Sequence, residues 1–116
     1  MDKEILKQRT KQYALRVIRL VEALPRGRTA EVIGRQLLRS GTSVGANYRA
    51  ACRAKSTADF ISKMGTVEEE SDESLYWMEL LVDAGLIKAK SAELLMKEGD
   101  ELVAITVASI NTAKRK

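Results

Sequence analysis

Residues 39–81 read RSGTSVGANYRAACRAKSTADFISKMGTVEEESDESLYWMELL, and two helical patterns run through them, separated by a serine-led junction. Before the junction, Gly41, Val44, Tyr48 and Ala51 recur at three- and four-residue intervals, the spacing that stacks side chains on one face of an α-helix. After it, Phe60, Met64, Val67, Ser71, Leu75, Met78, Leu81 and Val82 do the same. Ser56 followed three residues later by Asp59 is a capping-box-like helix start, with Asp in place of the usual Glu. Upstream, Ile33 and Leu37 extend the first pattern back towards Thr29, a suitable N-cap. Gly41, Ser43 and Gly45, with Ala46 another small residue beside them, weaken that helix in isolation, so their use points to close approach of another backbone or to a local break. We expect one continuous helix to about Arg53.

Two further helices flank this pair. Leu6, Tyr13, Val17, Leu20, Val21 and Leu24 predict a helix over residues 5–24, ended by Pro25-Arg26-Gly27. Ala84-Gly85-Leu86-Ile87 reads as a helix terminus with glycine in the left-handed position and an apolar residue packing back. Beyond it, Ser91 can cap a fourth helix with Leu94, Leu95, Leu102, Ile105 and Ser109 on one side. Met96, Val103, Val107 and Ile110 form a second apolar stripe on that helix, and Tyr76, Trp77 and Leu80 leave the main face of the third. These surplus apolar surfaces predict self-association. The fold expected is therefore all-α, an up-and-down four-helix bundle formed by residues 1–116 as one domain.

Composition narrows the function. Among 116 residues there is one cysteine and no histidine. Cys52 cannot close an intramolecular disulfide, no zinc set exists, and the Glu-x-x-His pairs of di-iron bundles are missing. The carboxylates Glu68, Glu69, Glu70, Asp72 and Glu73 invite only a hard cation such as Mg²⁺, and salt bridging is the expected use, so neither metal nor cofactor is predicted. With no histidine base for Cys52 and no phosphate-loop lysine near the GTSVG glycines, nothing points to catalysis. The first residues, MDKEILKQRT, carry no secretory h-region and no apolar run spans a bilayer, which predicts a cytoplasmic protein without membrane contact.

Charge is segregated along the chain. Residues 1–64 hold 14 basic and 5 acidic side chains, whereas residues 65–100 hold 3 basic and 10 acidic. Arg35, Arg39, Arg49 and Arg53 fall within about 80° on a helical wheel, forming a rail of about 27 Å if the helix is continuous. Arginine suits such a rail because its planar fork donates two parallel hydrogen bonds to phosphate oxygens. Arg9, Arg16 and Arg19 add a second basic surface, and Lys114-Arg115-Lys116 a basic tail. Phosphate contacts of this kind bind nucleic acid without base readout and weaken with salt as condensed counterions are released. The opposing reading pairs the rail with the acidic residues Glu69, Asp72, Glu73 and Asp83 within or between subunits. That leaves an oligomeric protein-interaction scaffold with no nucleic-acid role.

Three segments together resemble a known family: Gln36–Arg49 (QLLRSGTSVGANYR), Ala54–Phe60 (AKSTADF) and Glu70–Leu81 (ESDESLYWMELL). They are similar to the four-helix bundle proteins of bacterial 23S rRNA intervening sequences, also called S23 ribosomal protein-like. That family is in turn similar to the accessory variability protein of diversity-generating retroelements. The resemblance implies a ring, typically a homopentamer, and a non-enzymatic role in binding RNA or holding a ribonucleoprotein together. DNA and a protein such as a reverse transcriptase are further partners that it implies. The phosphate contacts expected are Arg35, Arg39, Arg49 and Arg53, then Arg9, Arg16 and Arg19. The subunit contacts expected are Tyr76, Trp77, Leu80, Met96, Val103, Val107 and Ile110.

Overall fold

The computed structural model describes residues 2–116, which form four α-helices: α1 (Lys3–Glu22), α2 (Arg28–Ala51), α3 (Thr57–Asp83) and α4 (Ala89–Lys114). The connections 23–27, 52–56 and 84–88 are each five residues long, so successive helices run antiparallel and pack side by side. α2 packs on α1 and α3, α3 on α4, and α1 closes the ring against α4 with the sparsest contact. The result is an up-and-down bundle measuring 48 × 21 × 20 Å. No helix is long and apolar enough to cross a membrane among the described residues.

The helix ends follow local chemistry. Asp2 caps α1 by accepting from the Glu4 amide at 2.7 Å. Ser56 caps α3 by accepting from the Asp59 amide at 3.0 Å. Asp59 reaches back one residue further than a capping box requires, to the Lys55 amide at 3.0 Å, and takes the Lys63 ammonium at 2.7 Å. α3 closes in a Schellman turn: the Leu86 amide bonds to the Leu81 carbonyl and the Gly85 amide to Val82, with Gly85 at φ +74°.

Two expected caps are corrected. α2 begins at Arg28 behind Gly27, whose φ of +146° brings the chain in along a path that favours glycine, so Thr29 lies in the first turn. α4 begins behind Lys88, so Ser91 lies inside it, its amide bonded to the Lys88 carbonyl. α1 stops at Glu22 because Pro25 disfavours helical backbone at Leu24. α2 stops at Ala51, leaving Arg53 in the turn rather than on the helix.

The core explains the small residues of α2. A Cβ on Gly41 would lie 2.8 Å from both methyls of Val17, one on Gly34 2.9 Å from Leu24, and one on Gly45 3.2 Å from the Thr10 hydroxyl. As α2 advances its partners on α1 step backwards from residue 24 to 17 to 10, the signature of an antiparallel pair seated backbone against backbone. Gly99 does the same in α4, where a Cβ would lie 2.7 Å from Leu75 and 2.8 Å from the Tyr13 hydroxyl. Tyr13 is fully buried and its hydroxyl lies 2.7 Å from Ser74 Oγ, so one side chain of α1 reaches α3 directly beneath α4. Ser74 spends its single proton on the Ser71 carbonyl at 2.7 Å, which makes Tyr13 the donor. The buried hydroxyls of Thr10, Ser40, Ser71 and Thr106 bond to carbonyls three or four residues back in their own helices.

On α4 the observed core face is Ala92, Leu95, Gly99, Leu102, Thr106, Ile110 and Ala113. Ile110 is thus only 8% exposed and belongs to the monomer core, a correction to its expected place in a subunit contact. Leu94, expected inward, is 71% exposed. One wheel step accounts for both, because the close approach at Gly99 turns α4 so that this glycine faces Tyr13. Val103, Val107 and Met96 are half-buried on its flanks.

Two outcomes test this packing. Gly41→Ala overpacks against Val17 and lowers stability by about 1–3 kcal/mol. Gly65→Ala, at a helix position with nothing within 4 Å, raises it by about 1 kcal/mol through helix propensity alone; urea unfolding of both variants reads the contrast. Burial pushes the Tyr13 phenol up to about 12, while an unfolded tyrosine ionises near ~10. Stability is therefore full below the unfolded value and falls as pH rises through that window. Tyr13→Phe should flatten part of the decline, with the remainder carried by Tyr48, whose phenol is also raised by burial; urea midpoints between about pH 8 and pH 11.5 measure both.

Candidate nucleic-acid interface

The arginine rail of α2 is interrupted in its middle. Arg39 sits between two carboxylates of α3, its Nη1 3.2 Å from Glu70 Oε2 and its Nη2 in a close ion pair with Glu73. Glu73 also accepts from the Trp77 indole at 3.0 Å, so the cluster ties α2 to an aromatic side chain on α3. Arg35 pairs with Glu31 one turn back on its own helix at 3.1 Å, both side chains exposed, an arrangement that solvent screens heavily. Arg49 and Arg53 are exposed, and no carboxylate lies within ion-pair distance of either among the described residues.

The second basic surface divides in the same way. Arg9 forms a two-pronged bond to Glu98 of α4, Nε at 3.0 Å and Nη2 at 2.6 Å, with Glu101 at 3.9 Å. Its fork geometry makes this the strong kind of ion pair, and it staples the otherwise sparse α1–α4 seam. Arg16 and Arg19 carry no ion pair among the described residues. They edge an open groove of about 710 Å³ with Lys88, over a floor that includes Leu20, Leu86 and Ile87. Of the seven arginines of the two surfaces, the unpaired ones therefore fall in two sets, Arg49 with Arg53 and Arg16 with Arg19, while Arg39 and Arg9 are tied to carboxylates of neighbouring helices.

The patch at the C-terminal end of α2 is larger than the rail alone suggests. The antiparallel course brings Lys3, Lys55 and Lys116 to the mouth of one cavity beside the turn that carries Arg53. Residues 113 positions apart in the chain converge there, and only the helix directions, not any local spacing, could have shown it. Of the apolar residues expected to meet another subunit, Tyr76 is 51% exposed and packs edge-on to Trp77, ring centroids 5.2 Å apart. Trp77 and Leu80 are half-buried beside it. No group of three or more metal-ligating side chains comes together among the described residues.

A family model described as "23S rRNA-intervening sequence protein" matches residues 2–108. In three dimensions the chain is similar to the crystal structure of a protein of unknown function from the S23 ribosomal protein family from Bacteroides thetaiotaomicron. The two are 33% identical, the likeness covers 96% of this chain and 99% of that one, and the TM-score is 0.88. No curated protein matches the chain.

The two engaged arginines differ from the exposed pairs in what their loss does. Arg9→Ala leaves Glu98, whose side chain is 17% exposed, without its partner, and lowers stability by on the order of 1 kcal/mol. Arg35→Ala should leave the urea midpoint unchanged within error.

Proposed function

We propose that this chain, which belongs to the 23S rRNA-intervening sequence protein family, is a non-enzymatic RNA-binding protein that acts as a ribonucleoprotein scaffold. The observation that carries the reading is the pair Arg49 and Arg53, exposed at the end of the rail with no carboxylate partner among the described residues and with the lysines of the same end beside them. Positively charged groups without a carboxylate within ion-pair distance attract a polyanion by counterion release rather than by base readout. Arg16 and Arg19 supply a second contact. Arg39 and Arg9 serve chiefly to hold helices together, and Arg35 contributes weakly.

Self-association belongs to the same reading. We take the assembly to be a homopentameric ring that uses Tyr76, Trp77, Leu80, Met96, Val103 and Val107, because the exposed Tyr76 and the half-buried apolar residues beside α4 have no cover within one chain. A ring repeats each basic patch, and linked weak sites gain avidity on a long RNA. RNA is the partner proposed first; DNA of equal charge and a protein such as a reverse transcriptase are separate arms of the test. A scaffold role without nucleic acid is the second reading, favoured by the Arg39 cluster, where rail and acidic stripe neutralise one another.

Fluorescence anisotropy against a structured rRNA fragment tests this. Four phosphate contacts per protomer give a roughly 50-fold loss of affinity between about 50 and 200 mM salt, taking ~0.7 counterions per contact on single strands. Arg49→Ala with Arg53→Ala should lower the salt slope by about 1.4, whereas Arg39→Ala should leave it unchanged. Light scattering on the same preparation should report five copies of the 12.9 kDa chain. No binding at low salt, or dissociation of the assembly by the Arg49 and Arg53 substitutions, decides for the scaffold.

A further inference from the structure

At the end of the bundle where α1 begins and α4 finishes lies an open cavity of about 900 Å³, close to the upper end of the range in which small-molecule sites fall. Its floor is apolar, from Leu6, Phe60, Met64 and Ile105, and its mouth carries Lys3, Lys55 and Lys116, with no carboxylate in the lining. Tyr48 forms part of the wall. This residue is only 6% exposed, and its hydroxyl lies beside the Cys52 thiol, a weak partner. The Ser109 and Thr112 hydroxyls also line the space. In the core the buried hydroxyls of Thr10, Tyr13, Ser40, Ser71, Ser74 and Thr106 are bonded at 2.7–3.0 Å to a carbonyl or to another hydroxyl, and no buried side-chain oxygen or nitrogen is left without a partner among the described residues.

We propose that this cavity takes one unpaired nucleotide of a bound RNA strand, its base on the apolar floor and its phosphates at the lysine mouth. The proposal rests on the RNA reading above and extends it, from phosphates alone to a preference for single strands. Three features select a nucleotide over other anions. Its base has flat apolar faces for the floor and polar edges for the Tyr48, Ser109 and Thr112 hydroxyls, which an acyl chain would leave unbonded. Its phosphates match a mouth of three cations. Arg53 lies in the turn whose residues 52, 54 and 55 line the cavity, so the strand held by Arg49 and Arg53 passes the opening. A base inside a duplex is stacked and paired and cannot enter, which makes single strands the substrate class.

Ala108 lines the cavity and is exposed, so Ala108→Trp fills the space without disturbing the core. The probes are AMP, read by saturation-transfer NMR on the full chain, and a single-stranded RNA compared with a duplex of equal charge. We expect the AMP signal to vanish in Ala108→Trp. The single strand should bind about tenfold more tightly than the duplex, the scale of one base held against an apolar wall, and Ala108→Trp should remove that preference while leaving duplex affinity intact. Lys55→Glu should weaken AMP independently of any effect of the tryptophan on folding. An AMP signal indifferent to Ala108→Trp, or an unchanged strand preference in that variant, overturns the proposal. So does a signal from laurate with none from AMP, which assigns the cavity to an acyl chain, or a change in assembly mass with Ala108→Trp, which assigns it to a second copy. If neither RNA binds but AMP still binds in an Ala108-sensitive way, the cavity stands as a nucleotide site and the arginine reading alone falls.

Discussion

The bundle depends on the contact between Tyr13, Ser74 and Gly99. A phenol donates a 2.7 Å hydrogen bond across the core to a serine on a helix whose backbone its own does not approach, and a glycine on a third helix gives it room. Burying a hydroxyl without a partner costs more than a bonded one returns, so Tyr13 has one acceptable depth and one acceptable rotation of α1 about its axis. That rotation places Val17 under Gly41 and Thr10 under Gly45. It equally turns Arg9 towards Glu98 and leaves Arg16 and Arg19 along the outer groove. The surface pattern is thus set by a polar contact at the centre, through the rigidity of the helices between them.

This constraint separates what could be read in the sequence from what could not. The periodicities of α2 and α3 were legible because each keeps one core-facing stripe at three- and four-residue spacing, and Leu37, Val44, Met64 and Leu81 are fully buried as that spacing predicts. Ser56 and Gly85 were legible because a cap and a left-handed turn are written within a few residues. The inward face of α4 was not. Its apolar residues spread over more than half the wheel, and the choice between Leu94 and Ile110 falls to Gly99, a residue with no hydropathy of its own. Thr29 and Ser91 look like caps by residue type, but the backbone had already turned helical at Arg28 and Ala89.

The basic surfaces show the same division. A helical wheel aligns Arg35, Arg39, Arg49 and Arg53, and that alignment is intrinsic to α2. Which of them stay uncompensated depends on the register of α3, because Glu70 and Glu73 lie opposite Arg39 while the first turns of α3 offer no carboxylate to Arg49 or Arg53. Asp59 is the only acidic residue near that end of α3, and its carboxylate is held below the usual range chiefly by Lys63, with help from the Lys55 amide. Asp2 and Glu4 at the start of α1 also act on this end, but Asp2 caps its helix and Glu4 pairs with Lys7, so these acids too have partners of their own.

Stability and function draw on different charges as a consequence. Cations that meet carboxylates of neighbouring helices hold those helices together and are unavailable to a polyanion. Cations at the ends hold nothing together and cost the fold only mutual repulsion, which solvent and salt reduce over about a Debye length of 8–10 Å. Charges arranged in this way repel one another less once phosphates stand between them, so binding a polyanion relieves a cost that folding leaves in place. The end that carries Lys3, Lys55 and Lys116 is also the end where the four helices leave a cavity. Repulsion among these lysines and the open space above an apolar floor have one location, and a ligand that is anionic at one side and apolar at the other answers both.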